Sequence, residues 1–220
     1  MRIGVLGGTG PAGGALALRL ADAGLEVQVG SRSAERAETV CSELRARWPS
    51  RSLPIEGVVN EEAAGADVVV VATPWDGAAP IVAGLGGALA GKVVVSMANA
   101  LTRVGSELIP LIPPRGSIAE SVQAAAPAAR VAAAFHHVPA HELGELDHPV
   151  ECDVLVCSDH PDATRTTSEL VDRVPGLRAV DAGSLSAAGA VEAFTAVLLQ
   201  VNRRYKTRTT IRLVGLTGGA

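Results

Sequence analysis

Six short apolar runs separated by stretches of helical periodicity set the pattern of the first 135 residues. Residues 68–72 (Val-Val-Val-Val-Ala) and 93–96 (Val-Val-Val-Ser) are apolar without alternation, as in strands covered on both faces of a parallel sheet. Residues 1–6 read as a buried strand of the same kind, 26–30 as a second strand, and 55–58 as a shorter one. Between them, residues 15–20 and the set Ala37, Val40, Cys41 and Leu44 recur at helical spacing. Ser33 stands where it would cap the second of these helices from Ala34, and Trp48-Pro49 would end it. A single turn over 60–64 and a helix over 77–89 complete the first half. Strands alternating with helices at this pace predict right-handed crossovers and a doubly wound sheet.

Beyond residue 100 the pattern loosens. Pro110, Pro113 and Pro114 predict a loop excursion over 101–114 without regular structure. A helix over 117–125, a sixth strand over 130–135 and a loop reaching Pro149 follow. The strand 152–157, helix 161–173 and strand 177–180 extend the sheet, and a long apolar helix over 187–201 closes it.

The chemistry lies at the strand ends. The first strand runs into Gly7-Gly8-Thr9-Gly10-Pro11-Ala12-Gly13, so Gly8, Gly10 and Gly13 have GxGxxG spacing between a strand and a helix, the context a dinucleotide fingerprint requires. Gly8 is read as the tight-turn glycine, Gly10 as the close approach to pyrophosphate, and Gly13 as the helix–sheet contact. The helix's free N–H groups and dipole then face the phosphates. Pro11 suits the first helical turn, where its missing N–H costs nothing.

The second strand ends in Gly30-Ser31-Arg32 rather than in the acid that would hold a ribose 2′-OH. Ser31, Arg32 and Arg36 instead offer a hydroxyl and two guanidiniums to a 2′-phosphate, which predicts NADP over NAD. The bland alternative makes both arginines solvated helix-start residues in a chain with 17 Arg and 2 Lys. Because ligands of doubly wound sheets bind beyond the strand carboxyl ends, two further stretches are candidates: Thr73-Pro74-Trp75 and Ser96-Met97-Ala98-Asn99-Ala100. Trp75 reads equally as core filler.

The predicted class is therefore α/β: a doubly wound, mainly parallel sheet of the NADP-binding Rossmann type with a C-terminal helix and tail. Residues 1–202 form one domain, including any second pocket, and 203–220 a tail. A net charge of −4 and 2% aromatic residues argue against a nucleic-acid surface. No apolar run is read as long enough to span a bilayer, and the first strand begins at once, so no membrane association and a cytoplasmic address are expected. Cys41, Cys152 and Cys157 lack metal or disulfide spacing and are read as buried thiols, the last two on opposite strand faces. No metal site is expected.

In combination and order, Gly7-Gly8-Thr9-Gly10, Gly30-Ser31-Arg32, Thr73-Pro74-Trp75, His136-His137-Val138-Pro139-Ala140, Asp181-Ala182-Gly183-Ser184-Leu185 and the tail Asn202-Arg203-Arg204-Tyr205-Lys206 with Ile211-Arg212 resemble the NADPH-dependent coenzyme F420 reductases along essentially the whole chain. The resemblance implies hydride transfer between NADP(H) and coenzyme F420, an 8-hydroxy-5-deazaflavin whose reactive carbon needs no redox side chain. It implies that Thr9, Gly10, Pro11 and Ala12 bind pyrophosphate, that Ser31, Arg32 and Arg36 bind the 2′-phosphate, and that Thr73, Pro74 and Trp75 with Met97, Ala98 and Asn99 flank the nicotinamide. His136, Val138, Pro139 and Ala140 would line the deazaflavin pocket, covered by the tail near Leu216. His136 is read as a positioning residue rather than a general acid, since backbone N–H groups can meet a delocalised charge. His137 and His148 are read as surface residues. Thr209, Thr210 and Pro11 depart from the family's pattern, which matters for the tail contacts and little for Pro11.

Two rival readings remain open in the sequence. An NADP-dependent imine, hydroxyacid or pyrroline carboxylate reductase shares the first half, but would carry its catalytic groups on an extended helical domain. A non-catalytic NADP sensor would lack a second pocket beside residues 136–140. The helix over 187–201 carries more apolar surface than a monomer buries, which predicts a homodimer through it.

Overall fold

A computed structural model describes residues 1–216. Strand β1 (Arg2–Leu6) leads into α1 (Pro11–Asp22), then β2 (Glu26–Ser31), α2 (Ala34–Arg47), β3 (Ile55–Val59), α3 (Asn60–Ala63), β4 (Val68–Val71), α4 (Trp75–Gly84), α5 (Gly86–Leu89) and β5 (Val93–Ser96). There follow β6 (Leu101–Val104), β7 (Glu107–Pro110), α6 (Ile118–Ala125), β8 (Arg130–Ala133), α7 (Ala140–Leu143), β9 (Cys152–Ser158), α8 (Pro161–Asp172), β10 (Leu177–Asp181) and, after a 3-10 turn over Leu185–Ala187, α9 (Ala188–Tyr205).

Eight strands form one sheet in the order β10-β9-β8-β5-β4-β1-β2-β3, and β6 with β7 forms a separate hairpin. The order reverses beside β1, between β4 and β2, so the crevice of a doubly wound sheet opens at its carboxyl end. Strict alternation divides the core. Ile3, Val5, Val70, Val95 and Cys152 face the layer of α1 and α8, whereas Leu6, Val71, Val94, Val131 and Cys157 face α4, α6 and α9. The two cysteines thus lie on opposite faces, and burial pushes the Cys157 thiol, like that of Cys41, up to about 11.

The structure corrects three expectations and supplies one strand direction that the pattern left open. Residues 101–110 are a hairpin, turned at Gly105 (φ +59°), rather than an irregular excursion. The helix expected over 77–89 is two helices, α4 and α5, and starts earlier, at Trp75. Strand β9 runs antiparallel to β8, so the segment between them needs no crossover and β9 begins at the ligand edge of the sheet. Finally, Leu185–Tyr205 is long and apolar enough to cross a bilayer by length and composition, with mean hydropathy 1.3. Here it lies along the core, burying Val191, Glu192, Thr195 and Leu198; a core helix meets the same test.

After α9 the chain turns back at left-handed Lys206 (φ +50°). Asn202 receives the Thr209 backbone N–H, and the carbonyl of Ile211 accepts the Asp153 N–H at 2.8 Å. The buried Asp153 carboxylate accepts from Arg178, Arg212 and the Leu213 N–H, which clamps residues 211–213 to the start of β9. These bonds to its charged form hold the Asp153 carboxyl below the usual range despite burial.

Candidate active site

The turn after β1 is built by close packing. Gly7, not Gly8, supplies the left-handed turn (φ +70°), and Gly10 N–H closes it on the Gly7 carbonyl at 3.1 Å. Gly8 instead accommodates β1, since a Cβ there would sit 2.9 Å from the Val5 carbonyl oxygen. Gly13 is the helix–sheet contact expected: a Cβ would lie 2.9 Å from that of Ala72. Gly10 is the N-cap of α1 and Pro11 its first residue, which leaves the Ala12 and Gly13 N–H groups without intrahelical partners at the mouth of the turn.

A cleft of about 970 Å³ opens over this turn. Its walls include Gly7, Thr9 and Gly10; Ser31, Arg32, Ser33 and Arg36; Asn60 and Glu61; Thr73, Pro74, Asp76 and Gly77; and the apolar strip Pro80, Ile81 and Leu85. Ser33 caps α2, accepting the Arg36 N–H at 3.3 Å, and so fixes the spacing of the two arginines. Among the described residues, neither guanidinium joins a salt bridge with an acidic group. A hydroxyl and two unpaired cations on one wall, with a helix N-terminus on the next, suit a dinucleotide that carries an extra phosphate.

Sequence reasoning missed Asn60. It sits just past β3, and its side-chain oxygen accepts the Gly7 N–H at 3.4 Å. The carboxyl-end rule applied to the third strand would have found it. It also missed the apolar strip of α4, which carries no motif.

Of the remaining expected residues, Trp75 opens α4 half-exposed and outside this cleft, while Met97 and Ala98 are buried beyond β5. Asn99 reaches across to the next strand end, donating from Nδ2 to the His136 carbonyl at 2.9 Å. Thr195 of α9, another residue missed, donates to the same carbonyl and to the Asn99 side-chain oxygen, both at 3.3 Å. Three elements therefore meet at the His136 backbone. Phe135 takes a left-handed conformation there (φ +65°), which sharply turns the chain and lets Val138 N–H bond the Phe135 carbonyl at 3.2 Å. Such a backbone costs a non-glycine residue about 1–3 kcal/mol and persists where its surroundings enforce it.

The cleft does not reach residues 136–140. Val138 is buried, whereas Pro139 and Ala140 are half-exposed. The His136 ring points inward, 4.0 Å from the Glu192 carboxyl, and neither of its nitrogens has a hydrogen-bond partner among the described residues. His137, expected at the surface, is buried, with Nε2 2.8 Å from the Asp153 carbonyl. His148 is exposed, as expected. Leu216 lies beyond the clamped tail and is half-exposed.

Glu192 accepts the N–H groups of Ile118 and Ala119 at 2.9 and 3.0 Å, yet burial pushes its carboxyl up to about 7. Burial drives His136 the other way, to about 3. Lowering an imidazole makes stability rise with pH from about 3 to its ordinary 6.5, and raising a carboxyl makes stability fall from its ordinary 4.5 to about 7. The two slopes oppose each other where they overlap. Glu192→Gln is therefore expected to add a rise in thermal stability with pH across that overlap relative to the parent protein, and His136→Gln a fall. Parallel slopes in the two variants would contradict the assignment.

The geometry has sequence relatives. A family model described as NADP oxidoreductase, coenzyme F420-dependent, matches residues 2–100. An F420-dependent NADP reductase of Methanocaldococcus jannaschii is 36% identical over 222 residues, covering 98% of this chain and 99% of the relative. The chain belongs to the F420-dependent NADP reductase family. A reductase of the same name from Methanothermobacter thermautotrophicus is also 36% identical, covering 98% of this chain and 96% of that one. A solved structure from Arthrobacter sp. FB24, assigned as an F420-dependent NADP-reductase, superposes with a TM-score of 0.78 at 26% identity, over 97% of this chain and all of that one. The extended helical domain of the rival reductases has no counterpart among the described residues, where α9 is the one long helix after the core.

Proposed function

We infer that this chain is an oxidoreductase that passes a hydride reversibly between NADP(H) and coenzyme F420. The observation that carries the reading is the identity to F420-dependent NADP reductases along nearly all of both chains. The deazaflavin takes up or releases both electrons as hydride at a ring carbon, so the chain needs no redox-active side chain. Its raised, buried thiols agree with that.

The work left to the protein is positioning. In this reading Thr9, Gly10 and Ala12 hold pyrophosphate with backbone N–H groups, Pro11 borders it without a donor of its own, and Ser31, Arg32 and Arg36 grip the 2′-phosphate. The apolar strip of α4 supplies a wall for the adenine. Thr73, Pro74 and Trp75 with Met97, Ala98 and Asn99 flank the nicotinamide, whose partner ring stacks beside Pro139 and Ala140. His136 and Val138, whose side chains are buried, act there through the backbone, and Leu216 borders the same edge. Asn99 and Thr195 fix the His136 carbonyl and thereby the spacing of the two rings.

Mixing the protein with NADPH and oxidised F420 tests the reading directly. Loss of the deazaflavin visible absorbance is expected, with flavins inert alongside; NADPH binding without turnover would return the sensor as the better account.

We further propose a cytoplasmic enzyme, one folded unit over 1–202 with 203–220 as a C-terminal tail, working on diffusible cofactors without nucleic acid or membrane. Its net charge of −4 supports the first exclusion. A homodimer through α9 is supported by Phe194 and Val197, exposed apolar residues on that helix. Val197→Asp is expected to halve the mass measured by light scattering, whereas a monomeric parent protein would refute the interface.

A further inference from the structure

Arg19 lies on α1, two turns beyond the phosphate-facing N-terminus, and is 2% exposed. Among the described residues no carboxylate hydrogen-bonds its guanidinium. Four main-chain carbonyls do so instead: Nε donates to Leu143 at 2.9 Å, Nη1 to His148 at 3.0 Å, and Nη2 to Glu142 at 2.7 Å and Glu145 at 2.5 Å. A rigid fork with five donors can satisfy four acceptors spread over seven residues, whereas an ammonium has three donors and no fork. The acceptors all belong to the segment that continues directly from residues 136–140 through α7. Leu143 is fully buried in the same core layer as Leu16 and Leu20 of α1. At Gly144 a Cβ would meet that of Ala15 at 3.8 Å, so segment and helix are in van der Waals reach.

We propose that Arg19 is a positioning residue for the F420 side of the active site: it binds the 142–148 segment to the helix that receives the pyrophosphate, and so fixes the 136–140 loop relative to NADP. Nothing in the pattern of the chain singles it out, because its partners are main-chain groups more than 120 residues away. A single rigid helix then carries both cofactor sites, one at its end and one along its side. The inference rests on residues 136–140 bordering the deazaflavin, as proposed above.

The test separates the two cofactors. In Arg19→Lys the apparent KM for F420 at saturating NADPH is expected to rise about fivefold or more, and further in Arg19→Met, while the NADPH Kd from its own fluorescence stays within about twofold. An unchanged F420 KM, or equal losses for both cofactors, overturns the role, because the first makes Arg19 indifferent to the loop and the second makes it a general support of α1. Should Arg19→Met not fold, Arg19→Lys decides. Amide hydrogen exchange on the parent protein gives a variant-free check: residues 140–148 should be protected as well as α1, and rapid exchange there overturns the proposal. Pro139→Tyr, which adds bulk to the loop itself, tests the underlying reading. It should raise the F420 KM; no effect would remove the loop from the F420 site, whatever Arg19 does.

Discussion

Replacing Arg32 with Asp is expected to weaken NADPH binding by roughly a hundredfold while changing NADH binding by no more than about threefold, because one charge-assisted contact is lost and a repulsive carboxylate gained. Arg32 is suited to this role by its freedom. It is exposed at the start of α2, lines the cleft beside Ser31 and Arg36, and makes no salt bridge among the described residues. Its removal therefore breaks little of the fold, and the effect should appear in the ratio of the two dinucleotide affinities rather than in Tm. Equal losses for NADPH and NADH would show that the 2′-phosphate lies elsewhere.

The second large effect comes from crowding at the turn. Gly13→Val places a branched side chain where even a Cβ is 2.9 Å from the Ala72 Cβ and 3.0 Å from the Gly8 Cα. Helix α1 must then lift from the sheet, at a cost of about 1–3 kcal/mol for overpacking. For a chain of this size that lowers Tm by roughly 2–12 °C. The same displacement carries the helix N-terminus away from the phosphates and should weaken NADPH at least about tenfold. Gly10→Ala is the contrast: its Cβ meets only the Gly7 carbonyl at 3.5 Å, an ordinary contact, so Tm should hold while NADPH binding falls. If Gly10→Ala lowered Tm as much as Gly13→Val, the division between a ligand-facing and a sheet-facing glycine would be wrong.

What could be read in advance follows from how local each determinant is. Strands β4 and β5 were legible because four and three consecutive valines admit little besides a doubly covered strand. Ser33 was legible as a cap because its partner, the Arg36 N–H, is three residues away. The hairpin 101–110 was missed because its prolines outweighed the Gly105-Ser106 turn, although Pro110 ends an outer strand, where its missing N–H is tolerated. The direction of β9 left no trace, since an apolar run has the same pattern in either sense. His137 looked solvent-facing in a polar loop, yet a carbonyl sixteen residues later draws it inside. Asn99 was legible from its place beyond a strand end, but Thr195 carries no motif, and their contact exists only where α9 crosses the ends of β5 and β8.

The reversal of β9 gives the two ends of the polypeptide unequal freedom. Met1 precedes a strand that starts at the rim away from the crevice, whereas the clamp on Asp153 brings residues 211–213 to the carboxyl rim of the sheet. An affinity handle fused ahead of Met1 would hang clear of the chemistry. Bulk added at the clamped residues 211–213 would instead sit at that carboxyl rim, and kinetics gathered with it would partly describe the added bulk.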